Sequence, residues 1–340
     1  MNPDTLQRPA TESAVEPVAP PRPPLLRRIF IGADGLRAGW SLLIFAIIFG
    51  ALMFCAHEIT IKIHPPTHKG QPQGPIGIQF ALLNELIPFL ILLLVSWIMS
   101  KIERRPNSVY GLGGSPKLVR FFAGLGWGFA CLSTLFLILW GSKLLIIDSR
   151  LLFGADVLRY GAMWLAGFLL VGLLEEYLTR GYLQYTLTRG FAGLYRVIFK
   201  TRHSEALGFW TAALLFSILF GLGHTGNPGE SPIGEVCAGA AGLLFCLSLW
   251  RTGSLWWAIG FHTAWDWSQS FLYGVADSGL MVQHHLLATH PAGKPILSGG
   301  STGPEGSVFV IVVMLIAVII IVTTLPRRDG SYLQSRVVAR

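Results

Sequence analysis

Charge is scarce in this chain. Asp, Glu, Lys and Arg make up 13% of its 340 residues, about half the share of a soluble globular protein. The polar sequence that remains is broken up by long apolar runs, which leaves no room for a separate soluble domain. Cysteine is nearly absent. Cys55, Cys131, Cys237 and Cys246 all lie in apolar stretches, with no Cys-x-x-Cys spacing. That argues against a disulfide framework or a thiolate metal site and leaves four small buried hydrophobes. Nor does the net charge of +8 mark a nucleic-acid binder, because the basic residues cluster in short loops between the apolar runs. No apolar core follows Met1 closely, so a cleaved signal peptide is not expected and the first apolar run serves as an anchor.

What is present in abundance is apolar sequence, 52% of the chain. The class is a polytopic all-α membrane bundle. Eight candidate spans fall at about 39–58, 77–100, 120–146, 158–179, 205–224, 232–251, 254–273 and 307–326. Each holds roughly 18 or more mostly apolar residues, enough to cross a hydrocarbon core of about 30 Å. The basic residues sort by loop. Arg27, Arg28 and Arg37 precede the first span; Lys101, Arg104, Arg105, Lys117 and Arg120 follow the second. Arg189, Arg196, Lys200 and Arg202 follow the fourth, Arg251 ends the sixth, and Arg327 and Arg328 follow the eighth. The alternate loops hold fewer, such as Lys62, Lys69, Arg150 and Lys294. The positive-inside rule then puts both termini in the cytoplasm.

Residues 1–36 are expected as a disordered cytoplasmic tail, rich in Pro, Ala and Glu at its start. Residues 37–150 hold spans one to three, 151–275 the polar-bearing core of spans four to seven, 276–306 an extracytoplasmic loop, and 307–340 the last span and a cytoplasmic tail. The loop carries His284, His285 and His290. No carboxylate or cysteine stands at ligand spacing to them, so a solvated loop is expected rather than a metal site.

Ionisable residues inside a transmembrane helix are expensive and mark function by default. Three spans supply most of them. The fourth ends in Glu175-Glu176-Tyr-Leu-Thr-Arg180, the fifth in Phe220-Gly-Leu-Gly-His224, and the seventh contains His262-Thr-Ala-Trp-Asp266. Glu176 and Arg180 are four apart and share a helix face, so they can pair. Glu175 is rotated by about 100° from Glu176 and is left over for chemistry. His262 and Asp266 also share a face, and the Asp can hold the imidazole tautomer. A carboxylate and two imidazoles can activate water and stabilise an oxyanion. Glu175, His224 and His262 could equally hold zinc with water in the fourth position. Metal dependence stays open, but both routes are hydrolytic. Ion-coupled transport also uses buried carboxylates, yet the chain shows no inverted repeat.

Three such motifs, in this order on successive apolar helices, resemble the CPBP family of CAAX proteases and bacteriocin-processing enzymes, also called Abi proteins. The family pattern is Glu-Glu-x-x-x-Arg, Phe-x-x-x-His and His-x-x-x-Asn. The resemblance covers about residues 155–275 and implies an intramembrane endopeptidase acting on a membrane-associated or lipidated peptide, in a bacterial plasma membrane. It implies that Glu175 and His224 activate the water and that His262 and Asp266 stabilise the oxyanion, with Glu176 and Arg180 in support. Some relatives are scaffolds or immunity proteins, so a non-catalytic role is the alternative. One departure stands out: Asp266 replaces the usual Asn, and an ionised carboxylate cannot donate to an oxyanion. There is also a geometric difficulty. With straight helices confined to the bilayer, Glu175 and His224 lie towards opposite faces. A fourth helix extending to about residue 188 would lift Glu175 towards mid-depth, or a tilted or displaced fifth helix would lower His224.

Overall fold

The computed structural model describes residues 24–32, 34–63, 74–328 and 330–333. The expected tail over 1–23, Lys69 and residues 334–340 lie outside these. The chain divides into two units, residues 1–37 and 38–340. In the first, a short helix over Leu25–Phe30 leads into a hairpin that pairs Ile31 with Leu36.

The second unit is a helical bundle. Among the described residues it has one helix for each expected span: α1 (Ala38–Ile63), α2 (Ile78–Glu103), α3 (Lys117–Gly141), α4 (Ala155–Phe199), α5 (Ser204–Gly223), α6 (Pro232–Thr252), α7 (Trp256–Asp266) and α8 (Val310–Thr324). The first six are long and apolar enough to cross a membrane. The last two are shorter. α7 has 11 residues, prolonged by wider π-helical turns over Trp267–Leu272, and α8 has 15. The local signals are plain in α6. Ser231 caps its start by accepting from the Gly234 N–H at 3.2 Å, Pro232 follows at the first helical position, and Gly253 ends it at φ 66°. Within the most apolar window of α1 only 11% of residues are buried, against 44% in α6, so α1 is peripheral and α6 is internal. The outer face of α1 presents apolar groups such as Ile47 and Phe54. Cys55 is also exposed there, whereas the other three cysteines are buried as expected. A lipid-facing helix need not turn its apolar residues inward, which is why Cys55 departs from the expectation.

Two close contacts set the register of the helices that matter. α3 and α7 pack backbone to backbone through Gly124, Gly128 and Gly260. A Cβ on Gly128 would stand 2.2 Å from the Phe261 carbonyl oxygen, and one on Gly260 would stand 2.1 Å from that of Phe121. Small residues permit this approach. α4 resolves the depth difficulty. It continues beyond Glu176 through a π-helical stretch, Tyr177–Leu183, and then as regular helix to Phe199. The 45-residue rod is roughly 65 Å long at 1.5 Å per residue, and Glu175 falls near its middle. α5 runs back antiparallel along the extension. Gly208 lies against the backbone of Ala192. Twelve residues further along α5, Phe220 meets Arg180, twelve residues back along α4, with the guanidinium 4.1 Å from the ring centre. Continuing the same register by one more turn brings His224 level with Glu175.

The segment after α7 is not an irregular solvated loop. Leu287–Pro291 (β2) pairs antiparallel with Leu145–Arg150 (β1), which follows α3. The Gln283 carbonyl accepts from the Trp164 indole at 2.9 Å, and its N–H donates to the Ile76 carbonyl at 2.9 Å. These partners satisfy the backbone groups that water would otherwise take. The three histidines are spread out. His284 stacks on Tyr160 at 4.2 Å, His285 bonds the Leu287 carbonyl, and His290 contacts Asp148 at 2.8 Å.

Candidate active site

Ionisable residues from α4, the end of α5 and α7 line one cavity of about 580 Å³. Most of its wall is apolar, with Phe80 and Ala81 from α2, Trp164 and Phe168 from α4, and Phe216 and Leu219 from α5. Glu175, His224, His262 and Asp266 all face into it. Asn84 and Glu85 of α2 line it as well, and the Asn84 amide donates to Glu85 at 3.0 Å.

The polar groups form a connected set. Arg180 Nη1 donates to Glu176 Oε1 at 2.8 Å, and neither side chain is exposed. The same carboxylate oxygen lies 3.1 Å from His262 Nδ1. A carboxylate only accepts, so Nδ1 carries a proton and Nε2 is turned to the cavity. There Nε2 lies 3.4 Å from Asp266 Oδ2 and 3.8 Å from Glu175 Oε2. His224 Nδ1 is 2.7 Å from the Phe220 carbonyl oxygen. That oxygen also only accepts, which leaves His224 Nε2 without the proton in the neutral ring. Phe220 is the wedge among these groups. Arg180 stacks on one side of it, and the rings of His224 and His262 lie 4.9 and 6.4 Å from its centre. Phe245 stacks on His262 at 5.5 Å.

The fold therefore brings Glu175, His224, His262 and Asp266 to a single cavity, with the Glu176–Arg180 pair buried behind it and joined to it through His262. It does not gather them as metal ligands. Among the described residues no three His, Cys, Asp or Glu side chains are grouped closely enough to hold an ion. Glu175, His224 and His262, as placed, do not fit a zinc site.

Sequence reasoning missed part of the wall. Asp277 and Ser278, from the segment after α7, line the same cavity. Asp277 Oδ2 accepts from the Ser270 hydroxyl at 3.1 Å. Glu305 stands behind, accepting from the backbone N–H and hydroxyl of Ser278 and, at 3.4 Å, from the Trp265 indole. Burial raises the Asp277 carboxyl well above the usual carboxylate range, and the neighbouring Asp266 and Glu305 push it further. Burial also raises Glu305, against the lowering effect of the Ser278 bonds. A signal existed, since Asp277 and Glu305 are the only acidic residues between positions 274 and 306. The histidines of that segment are the more conspicuous feature.

Comparison with known proteins gives one family match. Residues 158–268 match the family described as type II CAAX prenyl endopeptidase Rce1-like. Comparison with curated proteins and with solved structures gave no match. The matched segment runs from early α4 into the π-helical turns after α7 and contains all three motifs. Over residues 158–268, this membrane chain is similar to the CPBP family of CAAX-type proteases.

Proposed function

We propose that the chain is an intramembrane endopeptidase that hydrolyses a peptide bond of a membrane-associated or lipidated substrate with a water activated by Glu175 and His224. The observation that carries this is the shared cavity. One carboxylate and two oriented imidazoles, from three separate helices, face a space large enough for an extended peptide segment. In this reading the scissile carbonyl enters between α4 and α7. Glu175 takes a proton from water while His224 Nε2 accepts the water's other hydrogen bond. The resulting hydroxide adds to the carbonyl carbon. A proton on His262 Nε2 donates to the oxyanion, while Nδ1–H stays on Glu176. Glu175 then returns its proton to the leaving amine as the carbon–nitrogen bond breaks. One water is consumed, and an acid and an amine leave.

Asp266 has a different task from the amide it replaces. It faces His262 Nε2, so it acts by orienting that ring rather than by donating to the oxyanion. Glu176 and Arg180 hold the other edge. The match to the CAAX prenyl endopeptidase family supports a prenylated CAAX-type substrate. The same reading takes both termini as cytoplasmic in a bacterial plasma membrane, supported by the uneven spread of Lys and Arg between loops.

The test compares the purified protein with Glu175→Ala on a panel of membrane peptides, prenylated and not. Cleavage should fall by about 10²- to 10⁴-fold. Equal cleavage by the two proteins would remove the proposal.

A further inference from the structure

Glu85 is an acid inside the apolar span α2, with Leu82 and Leu83 before it and Leu86 and Ile87 after it. Its side chain reaches the main cavity. The three acids of the polar motifs each stand against a basic group. Glu176 has Arg180 at 2.8 Å, and Asp266 and Glu175 have His262 Nε2 at 3.4 and 3.8 Å. Glu85 is held differently, by the Asn84 amide alone, which donates to its Oε1 at 3.0 Å. Among the described residues no Lys, Arg or His pairs with Glu85, and no Lys or Arg lines the cavity.

A carboxylate within a span is expensive and is retained where something of opposite charge meets it. One neutral amide offsets little of that cost. Glu175 is near enough for its charge to act on Glu85, so the neighbouring acid makes the site more negative. The hydrolytic steps above make no use of Glu85. α2 also lies outside the family-matched segment, so the match does not account for it. A group that completes this site carries positive charge and arrives with whatever enters the cavity. The wall around it is apolar, with Ala81 one turn earlier on the same helix face and Phe80 and Phe168 nearby. That surface suits a long methylene stem with its charge at the tip.

We propose that Glu85, with Asn84 beside it, is a subsite for a lysine or arginine side chain of the substrate near the scissile bond. The assignment rests on the peptidase reading above and names a substrate class that reading lacks: a membrane-associated peptide with a basic residue close to the cut. A hydrogen bond to a charged group in such a site is worth about tenfold or more in affinity.

The experiment uses the full chain in detergent and a set of otherwise identical peptides with Lys, norleucine or Glu at one position, scanned through the cleaved region. Norleucine keeps the stem of lysine and lacks its charge. At one position kcat/KM should favour Lys over norleucine by at least about tenfold, with Glu the poorest. Glu85→Gln keeps the size of the side chain and should bring the Lys-to-norleucine ratio close to one. Glu85→Lys should reverse the order of the Lys and Glu peptides. A merely structural role for Glu85 would lower all three peptides together and leave their ratios in place, and thermal melts of both variants separate loss of fold from loss of selectivity. Glu175-dependent cleavage with no preference for Lys at any position, or with a preference that neither variant moves, would overturn the subsite alone. Absence of Glu175-dependent cleavage for every peptide would overturn the peptidase reading, and the subsite would fall with it.

Discussion

The buried pair of Arg180 and Glu176 gives the sharpest test of how the polar core is held. Both side chains are fully buried, and their contact is 2.8 Å. Two unit charges about 4 Å apart attract by about 4 kcal/mol at an effective dielectric near 20. Removing each from water costs several kcal/mol, so the pair as a whole contributes little. It is also under-satisfied. Among the described residues, Arg180 Nε and Nη2 and Glu176 Oε2 have no hydrogen-bond partner. Glu176→Leu strands a buried guanidinium against the faces of Phe220 and Phe245. The expected loss is about 3–5 kcal/mol. Arg180→Met should cost less, because Glu176 keeps the His262 Nδ1–H at 3.1 Å. The double variant should return to within about 1 kcal/mol of the parent, since neither charge is then left alone. Activity should not return with it, because His262 has lost the acceptor that turns Nε2 to the cavity. Equilibrium unfolding in mixed micelles measures the first quantity, and peptide cleavage measures the second. A double variant as unstable as Glu176→Leu alone would refute the argument that the two charges chiefly offset one another.

Two further outcomes follow from the packing and the electrostatics. Gly128→Ala should destabilise by about 1–3 kcal/mol, as overpacking does, because the new Cβ meets the Phe261 backbone at 2.2 Å. Gly126→Ala on the same helix has open space and should be neutral or mildly stabilising, which unfolding curves of the two variants would compare. Stability should also depend on Asp277. Its carboxyl is raised in the folded protein, so between its unfolded value of about 4 and its folded value the native state holds more protons than the unfolded one. Stability from this group is then greatest in acid and is lost as pH rises through the folded value. Asp277→Asn should flatten that decline and raise the melting temperature at neutral pH. A melting profile against pH that is the same with and without Asp277 would refute the burial argument.

How much was visible beforehand differs between the fold and the site. The eight helices could be located from apolar run length alone, because a lipid-facing segment must satisfy its backbone internally and helix is the way a single run can do so. The three polar motifs were visible for a related reason. A charge in an apolar helix is too costly to keep without use, so Glu175, Glu176, Arg180, His224, His262 and Asp266 stood out by type and spacing. Helical geometry even indicated the Glu176–Arg180 partnership, since residues four apart share a face whatever surrounds them.

Tertiary structure decided what no run of residues contains. The α4 rod continues past its polar cluster to Phe199, because the amphipathic extension Gln184–Phe199 finds α5 to pack against. That hairpin register, set by Gly208 on Ala192, brings His224 level with Glu175. Asp277 joined the wall, with Glu305 behind it on Ser278, only when β2 paired with β1 and the segment after α7 folded over the cavity. Chain position limits which residues can share one helix face. Contact between helices distant in sequence depends on the shapes of both surfaces at once, and those shapes exist only when the bundle is assembled.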